Sequence, residues 1–211
     1  MSWHPQEKTD RLFTFGPSLG FNRGHSACRS TIACTGENFH IPVRDGALGC
    51  ILGNRSGEHM ERISTYRRTM DIEDLAGLVR LIVEQMVFIG YTHDSASVER
   101  FLANAMRPAS NAVVFVGYDE AGRAVAFAFG NLCSGLECEG DYLWLNELYV
   151  SVAHRHEHIA TALLDHVKAW AKEAGCVYMA MVTHPRNTAA QQLYGQAGFE
   201  LEQLVWVDTY L

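Results

Sequence analysis

Strand and helix signals alternate along residues 142–199, and that alternation restricts the fold more than any other feature of the chain. Tyr142–Val150 reads as a strand. An amphipathic helix follows from about Glu157 to Ala174 and is stopped by Gly175. Val177–Thr183 reads as a second strand, Thr188–Ala197 as a helix stopped by Gly198, and a last strand starts at Phe199. A strand, helix and strand joined this closely imply a parallel pair with a right-handed crossover.

The preceding residues add antiparallel pairing. Val113–Tyr118 and Ala124–Gly130 are strands joined by the hairpin turn Asp119-Glu120-Ala121-Gly122. Before them, Ile63–Thr69 reads as a strand. Asp71 then looks like an N-cap, with Asp74 in the first turn of a helix carrying Ile72, Leu75, Ala76, Val79, Ile82, Val83 and Met86 at helical spacing. A second helix, Ser95–Met106, presents Val98, Phe101, Leu102 and Ala105 and is closed by Pro108. The expected class is α/β, a mixed and mostly antiparallel sheet with helices on both faces.

The chain changes character near residue 60. Residues 1–59 hold 8 of the 18 glycines and three of the six cysteines, and show no useful apolar period. With 6 basic against 5 acidic residues they are nearly neutral, whereas 60–211 carry 11 basic against 19 acidic. We therefore expect a poorly ordered extension over 1–59 and a single domain over 60–211. Upstream sequence translated from a misplaced start is one origin for the extension. A transit peptide is a weaker one, because Glu7 and Asp10 come early.

Charge and cysteine usage exclude several function classes. A net charge of −7 argues against a general nucleic-acid binder and suits a small cationic substrate. The start has no apolar h-region, and no apolar run reaches membrane-spanning length. Six cysteines without a C-x-x-C pair fit reduced thiols in the cytoplasm. Cys133 and Cys138 sit in a loop with no histidine near in sequence. His154, His156 and His158 alternate and would face one side of an extended segment, but a variable surface loop is the plainer reading, so no metal is expected. Trp170 and Met181 read as core.

The chemistry concentrates in residues 145–199. The strand L-N-E-L-Y-V (Leu145–Val150) runs into R-H-E-H-I-A (Arg155–Ala160) at a helix start. A helix N-terminus offers unpaired amides and a positive dipole end to an anion, and Arg155 adds a fixed charge. About 30 residues on comes N-T-A-A-Q-Q-L-Y-G-Q-A-G-F, Asn187–Phe199.

These segments resemble the GNAT superfamily of acetyl-CoA-dependent N-acetyltransferases, and within it members that acetylate small amines, including polyamine-type enzymes. The resemblance covers about 60–211 and is motif-dense over 145–199. It implies that acetyl-CoA is the co-substrate. Backbone groups of Leu148, Tyr149 and Val150 would bind the acetyl carbonyl and pantetheine arm. Arg155, His156, Glu157, His158, Ile159, Ala160 and Thr161 would wrap the pyrophosphate, and Asn187 would contact the pantetheine arm. Tyr194 would protonate the departing thiolate, a task suited to a phenol that stays protonated near neutral pH. Glu147 is the candidate base for the amine. Tyr91, Thr92 and His93 border the acceptor site in related proteins, although a plain loop also accounts for them.

The pyrophosphate loop departs from the family pattern. His158 stands at the glycine position, His156 at a position often glycine, and Glu157 puts negative charge beside a phosphate site. Weakened acetyl-CoA affinity is the expectation, with protonated His156 and His158 able to offset Glu157. The expected function is acetyl transfer to a primary amine of a small molecule or lysine-like side chain, by direct attack in a ternary complex. The alternatives are a non-catalytic GNAT-fold binding module and acetylation of a macromolecule. No nucleic-acid or membrane partner is expected, and the C-terminal strand is an edge that a homodimer could share.

Overall fold

The computed structural model describes residues 50–51 and 60–209. The elements follow the order β1 (Cys50–Ile51), β2 (Met60–Tyr66), α1 (Leu75–Phe88), α2 (Ser95–Ala105), β3 (Ala112–Asp119), β4 (Ala124–Gly135), β5 (Gly140–Val150), α3 (Ile159–Glu173), β6 (Tyr178–Met181) and α4 (Thr188–Gln196). Apart from Cys50 and Ile51, the expectation for residues 1–59 lies outside the described residues.

The sheet runs β1-β2-β3-β4-β5-β6. All neighbours are antiparallel except β5 and β6, which are parallel and joined through α3. The mixed, mostly antiparallel sheet with helices on both faces is what the strand and helix signals imply. One core packs α1 and α2, through Leu78, Leu81, Val98 and Leu102, against Tyr66, Val114, Val116, Phe127, Phe129 and Tyr149. The other packs α3 and α4, through Leu163, Leu164, Val167 and Tyr194, against Ile63, Phe115, Ala128, Leu143 and Leu145. The two sets alternate along β3 and β4, as the pleat requires.

Several boundaries differ from the sequence reading. The cap of α1 is Asp74, whose Oδ1 accepts from Gly77 N at 2.9 Å, and not Asp71. Asp74 Oδ2 also accepts from Ala124 N at 2.9 Å, so a long-range contact with β4 decides between two acidic candidates. Asp71 instead closes a short 3-10 turn and pairs with Arg68. A Cβ on Gly77 would lie 2.0 Å from Asp74 Oδ2, so only glycine admits the capping carboxylate. The hairpin is longer than expected, and Cys133 lies within β4 instead of in a loop. The last strand expected from Phe199 does not form: residues 199–209 have no ladder, and Leu204, Val205 and Val207 remain exposed. An apolar run becomes a strand only where a partner edge accepts it, and that partner is not encoded locally.

On the α3 face, His166 Nε2 lies 2.9 Å from Thr65 Oγ1 and its ring meets Phe115 edge-on. Burial lowers its pKa from the ordinary 6.5, with Glu173 pulling weakly the other way. The unfolded chain thus takes up a proton at a higher pH than the folded one. Stability from this group is present above about pH 6.5 and lost as pH falls through the folded value. We expect the thermal midpoint to decline from pH 7 to pH 5, with a smaller decline in His166→Gln. Equal declines would show that His166 does not carry this acid sensitivity.

Candidate active site at the gap between two parallel strands

Pairing between β5 and β6 covers Tyr142↔Tyr178 to Leu145↔Met181 and then stops. β5 continues for five more residues, Asn146–Val150, of which Glu147–Val150 stay paired with β4 on the other side. The two strands part at a β-bulge. Phe129 is opposite Glu147 and Gly130 is opposite Leu145, so Asn146 is the extra residue. Bulges bend and twist the strand that carries them. Gly130 allows the strands to close here, since a Cβ would stand 3.0 Å from both Leu143 Cδ1 and the Trp144 carbonyl. Asn131 Nδ2 donates to Asn146 Oδ1 at 2.7 Å and fixes the bulged side chain.

Glu147 and Tyr194 approach this gap from opposite faces, close enough for the charge of Glu147 to act on the phenol. Gln85 Nε2 of α1 donates to Glu147 Oε2. Tyr194 of α4 is 9% exposed and packs edge-on to Phe199, with ring centroids 6.1 Å apart. Burial pushes its phenol up to about 12, and the negative charge of Glu147 acts in the same direction. Tyr194 is therefore a protonated donor across the physiological range.

β5 leads directly into the loop. Ser151 N donates to the Val125 carbonyl at 2.9 Å, where a second bulge leaves Val125 out of register with β3. Residues Val152–His154 form a 3-10 turn, then α3 begins at Ile159 with His158 as its N-cap. His158 makes no side-chain capping bond. Ile159 is buried and anchors the helix start, Ala160 is half-buried, and His156, His158 and Thr161 are exposed. The segment is not extended, so His154, His156 and His158 do not line one side of a strand. Among the described residues no group of three His, Cys, Asp or Glu side chains is arranged to hold a metal ion.

Arg155 folds back onto the sheet. Its guanidinium stands 5.1 Å from the Phe88 ring and 5.6 Å from the Tyr149 ring, and Nε donates to the Val150 carbonyl at 3.4 Å. Tyr149 is buried against Phe127. Burial raises its pKa, with Glu84 adding and Arg155 opposing. Leu148 and Val150 turn to the opposite core. Asn187 caps α4, accepting from Ala190 N at 3.2 Å. The histidine that meets Glu157 is His154, with Nδ1 3.5 Å from Oε2. Tyr91 and His93 stack between α1 and α2, with centroids 6.3 Å apart. Trp170 packs edge-on to Phe115, and Met181 is half-buried against the α3 core.

Gln85 and Phe88 were not singled out by sequence. Gln85 had a readable signal: it lies four and seven residues after Leu81 and Leu78, so it interrupts the apolar stripe of α1.

The model of the Acetyltransferase (GNAT) family matches residues 75–199. The chain belongs to the GNAT acetyltransferase family. Solved structures agree with this fold. A probable acetyltransferase is similar at 26% identity and TM-score 0.61, covering 71% of this chain and 97% of its own. An aminoglycoside N-acetyltransferase in complex with CoA matches at 21% identity and TM-score 0.57, covering 74% and 97%. An aminoglycoside acetyltransferase from an uncultured soil metagenomic sample, solved with sisomicin, matches at 17% and 0.57, covering 71% and 94%. No curated protein matches the chain. Among the described residues no helix is long and apolar enough to cross a membrane.

Two residues of the loop before α3 have left-handed backbone. His156 and His158 have φ of 68° and 59°, in the left-handed region. That conformation costs an L-residue about 1–2 kcal/mol and costs glycine nothing. We expect His158→Gly to stabilise the fold by about 0.5–1 kcal/mol, offset in part by glycine's unfolded-state entropy. His158→Ala, which keeps the Cβ, should give no such gain. A urea midpoint that rises equally in both variants would show that backbone strain is not the cause.

Proposed function

We infer that this chain is an acetyl-CoA-dependent N-acetyltransferase acting on a primary amine of a small molecule or exposed side chain. The observation that carries this reading is the gap where β5 leaves β6, with Glu147 and Tyr194 on its two sides and the start of α3 at its mouth. Backbone groups of Leu148, Tyr149 and Val150 are the strand edge available to an amide-bearing arm, which pairs with a β edge as another strand would. The α3 N-terminus and the amides of Arg155–Thr161 suit a pyrophosphate. Left-handed residues such as His156 and His158 occur in loops whose N–H groups converge on an anion. Asn187 is at the start of α4, close enough in chain to β6 to serve the same arm.

The roles follow from residue chemistry. Glu147 takes a proton from the acceptor ammonium, directly or through one water. The freed amine attacks the acetyl carbonyl and the new C–N bond forms as the C–S bond breaks; Tyr194 gives its proton to the departing sulfur, and the second proton shed by the nitrogen as it becomes an amide returns to the Tyr194 phenolate, directly or through water. No covalent bond to the enzyme is required, so both substrates must be bound together. Glu157 opposes phosphate binding, and His154 Nδ1 stands 3.5 Å from its carboxylate.

Calorimetric titration with acetyl-CoA should give micromolar binding at pH 7 and at pH 6. Absence of binding by the folded chain at both would favour a non-catalytic member of the family. With an amine panel, initial rates should give intersecting double-reciprocal lines; parallel lines would sink direct attack. Tyr194→Phe should lower kcat by about 10²-fold while acetyl-CoA affinity changes less than about twofold. Unchanged turnover would remove Tyr194 as the acid.

A further inference from the structure

The geometry points to Gln85 as the residue that positions Glu147 and holds it as a carboxylate, an assignment resting on Glu147 being the base of the proposed reaction. Gln85 is 6% exposed on the sheet-facing side of α1, in the stripe of the fully buried Leu78 and Leu81. Its Nε2 donates to Glu147 Oε2, while its Oε1 is buried with no hydrogen-bond partner. A buried carbonyl without a donor costs folding free energy that a leucine of similar volume would not. The amide is therefore a poor choice for packing α1. What it provides is an N–H aimed at a carboxylate.

The two groups fix one another. The reverse amide orientation would set oxygen against carboxylate oxygen, so the charge on Glu147 selects the orientation seen. In return the N–H stabilises that charge, as hydrogen bonds to an ionised acceptor do. Phe129 lies opposite Glu147 on β4. Tyr194 approaches from α4, and the carboxylate hinders the phenol's own ionisation. Glu84 of α1 and Arg155 of the loop both act on Tyr149. Removing the Gln85 donor takes away a hydrogen bond that favours the charged form, and only the charged form takes a proton from an ammonium.

The test is a ¹³C-carboxyl NMR titration of Glu147 in the full chain, for wild type, Gln85→Leu, Gln85→Met and Gln85→Glu, beside the pH profile of kcat/KM and the thermal midpoint. The Glu147 midpoint should rise by about one pH unit in Gln85→Leu and Gln85→Met, and further in Gln85→Glu, where two carboxyls compete for one charge. The acidic limb of kcat/KM should move by the same amount, and the thermal midpoint of Gln85→Leu should equal or exceed that of wild type. An unmoved Glu147 midpoint in all three variants would overturn the assignment. So would a lower thermal midpoint in Gln85→Leu with an unchanged pH profile, which marks a space-filling role. The titration needs no turnover, so failure to acetylate any amine would overturn the transferase reading while the Gln85–Glu147 coupling is still decided.

Discussion

Pairing between the parallel strands ends at Leu145 and Met181, and the placement of every candidate site residue follows from that end. A buried backbone N–H or C=O must find a partner. Where β5 runs on alone past Asn146, the side facing away from β4 has no strand to supply one. The gap also fixes what surrounds it. The right-handed crossover requires α3 to start just beyond the C-terminal end of β5, so its unpaired amides open at the same place. α4 follows β6 and packs on the same face of the sheet as α3, which brings Tyr194 within range of the charge on Glu147 across a sequence separation of 47 residues. Open sheets generally bind ligands in the crevice outside the carboxyl ends of their strands, and here the crevice is cut by a one-residue bulge.

The loop over this crevice combines backbone strain with unfavourable charge. His156 and His158 occupy left-handed backbone that glycine would adopt without cost, and Glu157 adds a negative charge to a domain already acidic. Strain of this kind persists only where the flanking structure over-determines it. Here the flanks are firm. Ser151 is tied to Val125 on one side and Ile159 is buried on the other. Arg155 is held over Phe88 and Tyr149, so its charge is positioned by aromatic faces and not by a carboxylate. Among the described residues no carboxylate pairs with Arg155, so its charge keeps its attraction for an incoming anion.

Much of this was legible in the sequence because it is local. The order of strands and helices, the stop glycines and the Asn187 cap are set by neighbours a few residues away, and the structure keeps them. Glu147 and Tyr194 stand out in the sequence only through the motifs that contain them, and their roles rest on the proposed reaction. Three things were not. Asp74 replaces Asp71 as the α1 cap because Ala124, 50 residues away, donates to it. The segment after Phe199 carries apolar residues but no information about an edge to join. Gln85 was hidden inside a stripe read for its apolar members, and only the approach of β5 gives its amide a purpose. In each case the deciding partner comes from a distant part of the chain.

The coupling between Glu147 and Tyr194 bears on a difficulty in the proposed chemistry. A phenol pushed up to about 12 is a reluctant acid for a thiolate whose own proton is held at roughly 8.5. One of the two causes of that reluctance is the charge on Glu147. When Glu147 takes the proton of the ammonium, the charge disappears and the phenol's pKa moves down toward that of the thiol. In the proposed reaction Tyr194 would then become the better donor at the stage when the sulfur begins to leave, while remaining a firm hydrogen-bond donor before it. Burial, the larger cause, stays in place throughout. In that scheme the base would prime the acid through the field between them, without any movement of the backbone.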